Sequence, residues 1–371
     1  MRMLAEPENT KEAAVKSEES GEPLWERRSP YQGNPARTYW KSAVTGQEMG
    51  SLPGLYTKKF ELAPRHNVAT AGSCFAQHIA VHLRANGYSV LDVEPAPPGA
   101  DVAAAKAAHY GIYSARFGNI YYVRQLLQLA REALEGHEPA ETVWEREGRY
   151  YDALRPAVSP GGYATAGQVA AHRKAHLRSV RKLFESTDVF VFTMGLTEAW
   201  ESTVDGTVFP TAPGTIAGDY DPEKYQFRNF SYQEIVSDFL AFRTLVKRVR
   251  PTMKFILTVS PVPLAATATG NHVLTATTHS KAVLRAAAGE IERRYSDVDY
   301  FPSYEIVTSN FLGNDAFGPS GRDVKPEAVE RVMAYFFSQH PPGKRRAAVQ
   351  DAKQSAEEVF CDDALLEVFS E

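Results

Sequence analysis

The chain has 371 residues, 43% hydrophobic and 23% charged, with a formal net charge of −4. That length carries one large core or two small ones, and the mild acidity excludes the basic face that phosphate contacts need, so no nucleic-acid partner is expected. No run approaches the ~18 apolar residues of a spanning helix, and the N-terminal stretch, rich in Glu, Lys, Ser and Pro, holds no apolar signal core; the expectation is no membrane span and a cytoplasmic location.

Residues 1–30 have the low hydrophobicity and high charge of a disordered arm, and 31–60, with Trp40, Tyr56 and scattered Gly and Pro, read as an irregular strap. The main domain is expected over 61–340, and 341–371 reads as a charged tail. The first regular unit is a strand over Asn67–Ala71, followed after a turn at Cys74 by a helix whose Ile79, Ala80 and Leu83 recur at helical spacing up to Gly87. Tyr88–Val93 reads as a second strand, Pro95–Asp101 as a turn, and Tyr121–Leu134 as a helix with Val123, Leu126, Leu127 and Ala130 on one face. Trp144–Tyr151 is a hairpin arm, and a long polar helix, marked at its start by Thr165 with Gln168, runs to Glu185. Asp188–Thr193 and Met253–Val259 are the continuous apolar runs of buried parallel strands. Helices over Ser231–Val249, Ser280–Tyr295 and Lys325–Phe337, with a short strand over Val298–Phe301, complete the pattern. Such alternation implies βαβ crossovers, so the predicted fold is α/β, a three-layer αβα sandwich around a mostly parallel central sheet.

Chemistry is expected where strands hand over to helices, because open α/β sheets bind ligands along the carboxyl rim. Gly72-Ser73-Cys74-Phe75-Ala76 occupies the first such turn. Glycine permits a tight turn there, and a helix N-terminus offers free N–H groups and a dipole that favours thiolate. Cys74 is therefore the candidate nucleophile, against the commoner fate of a free cysteine as a small buried hydrophobe. The only other cysteine, Cys361, is far away in sequence, so reduced thiols are expected rather than a disulfide. No residues stand at metal-ligand spacing, and neither a P-loop nor a dinucleotide fingerprint is present, so no metal and no cofactor are expected.

The pentapeptide is the signature of the GSCFA family, and the chain from Gly72 to Phe337 resembles that family in further blocks: His109-Tyr110-Gly111-Ile112-Tyr113, Gly118-Asn119-Ile120-Tyr121, Thr193 to Trp200, Thr258 to Leu264, and Tyr300 to Glu305. The family in turn resembles a branch of the SGNH (GDSL-like) hydrolases and acyltransferases, which implies a flavodoxin-like sandwich. In that resemblance Ser73 takes the Asp place and Cys74 the Ser place of the Gly-Asp-Ser nucleophile motif. Gly195-Leu196-Thr197-Glu198 resembles the Gly-x-Asn-Asp block, with Thr197 in the place of Asn, so Gly195, Thr197 and the N–H of Cys74 or Phe75 are implied oxyanion donors. Thr197 and Glu198 suit the start of a helix equally well.

The resemblance implies a histidine before the last helix, but Arg322-Asp323-Val324-Lys325-Pro326 puts Lys325 in that place. Three readings follow. His272 or His109 serves as the base; or the helix dipole with Lys325, Arg322 or Arg116 activates the thiol without an imidazole; or only ligand binding remains. His78, four residues after Cys74, reads as a surface or satisfied core histidine. Tyr110, Tyr113, Phe117, Tyr121 and Tyr122, interleaved with Arg116 and Asn119, suit either a sugar or nucleotide pocket or a core. Phe209 to Gly218 reads as a long irregular loop of the kind that forms lids or binding edges, and Ser260 as the floor of the cleft. The expected function is acyl transfer, by an esterase or O-acyltransferase acting on an acylated small molecule or carbohydrate, with acyl-CoA as a co-substrate; the competing reading is a non-catalytic binding or scaffold protein.

Overall fold

Five consecutive buried residues, Val68–Gly72, form β1 in the computed structural model, which describes residues 29–313, 315–342 and 365–366. The helix α1 (Phe75–Ala85) follows at once, then α2 (Val102–Ala107) and α3 (Val123–Glu135). A hairpin of β2 (Val143–Arg146) and β3 (Arg149–Asp152) leads to α4 (Ala166–Ser186), whose Thr165 hydroxyl accepts from the Gln168 N–H at 3.2 Å. The fully buried β4 (Val189–Met194) runs into β5 (Glu198–Ser202), β6 (Val208–Phe209) and β7 (Tyr225–Asn229). Then come α5 (Tyr232–Val249), β8 (Lys254–Val259), α6 (Val273–Arg294), β9 (Val298–Tyr300), α7 (Ser303–Thr308) and α8 (Pro326–Gln339).

The central sheet is four-stranded and parallel in the order β1-β4-β8-β9. Its strands are apolar on both faces because helices cover both. Phe190, Phe192, Phe255 and Leu257 join one core with Phe184 of α4, Phe239 and Phe242 of α5, and Leu284 and Ile291 of α6. The alternate residues Val189, Val191 and Ile256, equally buried, point to the other face. This is the three-layer α/β sandwich expected. A parallel bridge from Val68 to Val90 adds one more position outside β1. The order therefore reverses between β1 and β4, the switch point at which doubly wound sheets open a ligand crevice beyond their carboxyl ends.

Four expectations change. Tyr88–Val93 is reduced to that single bridge. Thr197 and Glu198 start no helix, since Glu198 opens β5. The segment Phe209 to Gly218 is no free lid: it begins in β6, and Phe209 and Ala217 are fully buried with Trp144, whose ring leaves a Cβ at Gly218 only 2.9 Å. The helix expected from Ser280 begins at Val273, which places Ser280 and Lys281 inside it, both buried.

The described residues fall into two compact units, one holding the residues up to Leu55 with Phe311–Gly313, the other holding the rest. Within the first, Trp40 meets Phe311 edge-on at 5.3 Å. The expected arm over 1–30 lies outside the described residues except for its last two, and of the tail 341–371 only 341, 342, 365 and 366 are described.

Candidate functional site at the sheet's switch point

Gly72 makes the turn that ends β1. Its φ is +142°, and a Cβ there would lie 2.5 Å from the Thr193 carbonyl oxygen, so no side chain fits. The chain crosses onto β4 through the Ser73 N–H, which donates to the Thr193 oxygen at 3.1 Å, and Ile120 N–H donates to the Gly72 oxygen at 2.8 Å. The Tyr113 hydroxyl lies 3.0 Å from the Ser73 oxygen and 2.5 Å from Asn119 Oδ1, so its one proton serves either acceptor, and Gln77 Nε2 approaches the same Oδ1 at 3.4 Å. Asn119 thus supports the turn from its outer side.

Cys74 is the N-cap residue of α1, with helical backbone angles and no side-chain capping bond. It is 2% exposed and disulfide-bonded. The expected free thiol is thus corrected: the sulfur is oxidised here, and a thiolate requires reduction first. The Ala76 and Gln77 N–H groups are turned back onto the Ser73 and Cys74 carbonyls. The Phe75 N–H, at the first position of α1, has no acceptor within the helix.

The second turn packs against the first. A Cβ on Gly195 would lie 3.0 Å from Ser73 Cβ and 3.1 Å from the Tyr121 oxygen. The Gly195 and Leu196 N–H groups both donate to that oxygen, at 3.0 and 3.1 Å. Gly195 is therefore a spacer whose N–H is already committed, and not the oxyanion donor the motif implied. Thr197 N–H donates to Ser280 Oγ at 3.1 Å, while the Thr197 hydroxyl, buried, has no hydrogen-bond partner among the described residues. The buried hydroxyls of Ser73 and Thr193 share that condition. Native buried polar atoms are rarely left so, and these three lie on the two turns at the end of the sheet.

Lys281 and Ser280 escaped the sequence reading. Lys281, 1% exposed, donates from Nζ to the Gly195 oxygen at 2.6 Å, so consecutive residues of α6 hold the two ends of the Gly195–Thr197 turn. Glu198 accepts from the Thr267 hydroxyl at 2.9 Å and from Ala268 N–H at 3.2 Å, which fixes the loop after β8. Ser260 N–H donates to the Met194 oxygen at 2.8 Å and its hydroxyl accepts from Val262 N–H, so it closes the floor between β4 and β8.

The histidines divide differently from expectation. His272 is an exposed N-cap of α6 whose Nδ1 accepts from Leu274 N–H at 3.1 Å, and no hydrogen bond joins it to the Cys74 turn. His109 is buried with a left-handed φ of +61°, and burial with the Arg116 guanidinium pushes it down to about 4. Arg116 itself donates to the Ala108 and Val158 oxygens and to the Tyr110 hydroxyl, and covers the Tyr110 ring at 3.9 Å. That ring face is taken, and Tyr113, Phe117, Tyr121 and Tyr122 belong to the core, although Tyr110 and Tyr122 also line cavities. Lys325 caps α8 and pairs with Asp315, and Arg322 leans on the Pro263 oxygen.

His78 is the histidine the site does place nearby, one helical turn from Cys74. It is not satisfied core: its buried Nδ1 has no partner among the described residues, and burial with His82 pushes its pKa down to about 3, so the ring is neutral. Gln77 and His78 line a cavity of about 400 Å³ that continues past Asp92, Lys106 and Tyr110. A second, smaller cavity of about 190 Å³ opens beyond Leu196 and Glu198, walled by Tyr122, Trp200 and Pro210. Cys74 lines neither. No group of metal-ligating side chains is found among the described residues.

Neither the curated proteins nor the solved structures searched gave a match. The family model described as the GSCFA family matches residues 67–336. That span runs from the residue before β1 into α8 and holds both turns of the site: the chain belongs to the GSCFA family.

Proposed function

We propose that the chain is an acyl-transfer enzyme, an esterase or O-acyltransferase acting on an acylated small molecule or carbohydrate, with reduced Cys74 as its nucleophile. One observation carries the reading: a sulfur at a helix start, at the reversal of strand order, stands beside buried hydroxyls that nothing claims. The thiolate attacks the ester carbonyl carbon, and the resulting oxyanion is held by the Phe75 N–H and the Thr197 hydroxyl, each worth about 3 kcal/mol where preorganised. The alkoxide leaves with a proton, a thioester remains on Cys74, and water or an acceptor hydroxyl takes the acyl group and restores the thiolate. His78 receives the thiol proton; pairing with the thiolate offsets the burial that keeps its ring neutral in the resting site. Lys281 acts as a positioning residue through Gly195.

A ligand-binding module is the second reading, favoured by Lys325, which pairs with Asp315 at the place where the resembled enzymes carry histidine. The two separate on one experiment. Reduced protein is mixed with p-nitrophenyl acetate, quenched, and mapped by mass spectrometry. An acetyl group on the Cys74 peptide, absent after Cys74→Ala, is the expected result. Label spread over surface lysines, with none on Cys74, overturns the enzyme reading.

A further inference from the structure

The larger cavity, about 400 Å³, is of a size that holds a small molecule. Gln77, His78 and Ile112 give it a buried floor, while α2, none of whose residues is buried, forms a wall on the solvent side, with Val102 82% exposed at its start. Val81, Ala100, Val102, Ala105 and Ile112 make much of the lining aliphatic. Two of its polar side chains are engaged elsewhere: the Gln77 amide donates to Asn119 Oδ1 at 3.4 Å, and the Tyr110 hydroxyl accepts from Arg116 at 3.1 Å. Asp92 and Lys106 add one charge of each sign, so the lining as a whole is neutral.

We propose that this cavity holds the alcohol half of the ester, and that the alcohol is uncharged and apolar, an alkyl or aryl alcohol rather than a sugar. The proposal rests on the reading of Cys74 as nucleophile and His78 as its base. His78 belongs to both places, one helical turn from Cys74 and on the floor of the cavity. A base that takes the thiol proton hands it on to the departing oxygen. The carbonyl carbon keeps its new bond to sulfur, its bond to the alkoxide oxygen breaks, and that oxygen takes the proton from the imidazole. The alcohol therefore leaves on the imidazole's side, where the cavity lies, and an acceptor alcohol enters by the same side in the reverse step. A sugar would bring a hydroxyl on nearly every carbon, and each would give up water against aliphatic side chains with no partner in return. An alkyl chain gains there instead, by about fourfold in binding for each methylene buried.

The test chases a preformed acetyl-enzyme. The reduced full chain is acetylated at Cys74 with p-nitrophenyl acetate, excess ester is removed, and loss of the acetyl group from the Cys74 peptide is timed with ethanol, 1-butanol, 1-hexanol or glucose. Transfer is expected to quicken about fourfold per methylene from ethanol to hexanol, with glucose no better than ethanol. A flat alkanol series, or glucose matching hexanol, overturns the proposal. Ala105→Leu narrows the cavity from a half-buried position on α2 and is expected to cut the hexanol-to-ethanol ratio about fourfold or more; an unchanged ratio overturns it as well. Calorimetry of 1-hexanol with Cys74→Ala reads the cavity without catalysis: binding is expected, and is expected to be lost when Ala105→Leu is added, whereas no binding to Cys74→Ala overturns the proposal. If the acetyl-enzyme forms but every alcohol takes the acetyl group alike, the enzyme stands and the subsite falls; if hexanol binds yet no acetyl-enzyme forms, the apolar-alcohol cavity stands and the catalytic reading falls.

Discussion

Asp152, Arg155, Arg173 and Glu132 lie as deep in the molecule as Ser73, Thr193 and Thr197, yet the first group pairs every charge and the second leaves every side-chain hydroxyl without a partner. Asp152 takes Arg155 at 2.7 Å and Arg173 at 2.9 Å, and Arg173 also reaches Glu132. The network joins α3, β3 and α4 beneath the hairpin. Burial opposes the charge on Asp152, but the two guanidiniums prevail and hold its carboxyl below the usual range. A fully matched buried network fixes a fold, whereas unmatched buried hydroxyls cost stability.

Mutating each region separates the two. Arg173→Met leaves Glu132 and one side of Asp152 unpaired in the interior, and the expected loss is about 3–5 kcal/mol in urea unfolding. A loss below about 1 kcal/mol, the range of exposed pairs, would make the network ornamental.

Acid attacks the same region more gently. Burial first, then Arg155, push His176 down to about 4 from an ordinary 6.5, against the pull of Glu94. A lowered histidine is neutral in the fold, so its contribution is complete above pH 6.5 and drains away as pH falls toward 4. Glu132, raised to about 7 by burial, works the other way between 4.5 and 7, so the measurement is a difference. Wild type is expected to lose up to about 3 kcal/mol more than His176→Gln over that acid range. Parallel stability profiles for the two would remove His176 from the account.

The smallest expected effect falls on the rim. Thr197→Val removes a hydroxyl that has no partner and keeps the shape, so stability is expected to hold within about 1 kcal/mol or to rise. Acyl transfer by the reduced protein, in contrast, is expected to drop. A variant that unfolds readily would mean that the hydroxyl belongs to the structural region after all.

Much of this was legible from sequence where burial is continuous. Val189–Met194 and Lys254–Val259 are unbroken buried runs, Thr165 caps its helix with Gln168, and Gly72-Ser73-Cys74 marks a turn in which a missing Cβ is enforced by a neighbouring strand. The second sheet was not legible, because β5 buries both Glu198 and Glu201 and so lacks the alternation that betrays a half-exposed strand. The start of α6 was hidden by Thr275, Thr277 and Thr278, poor helix formers that tertiary packing overrides. Lys281 and Ser280 look like surface residues until the Gly195 turn arrives to accept them. The disulfide on Cys74 was out of reach, because spacing along a chain says nothing about distance across it. His78 was misjudged for a related reason: a satisfied and an unsatisfied imidazole are the same letter.

The most direct measurement is the pH dependence of Cys74 alkylation by iodoacetamide in the fully reduced protein, followed at the Cys74 peptide. A thiolate supported by the start of α1 predicts a midpoint well below the free-thiol value of about 8.5. A midpoint at or above that value would contradict the account, for it would leave the sulfur an ordinary buried thiol.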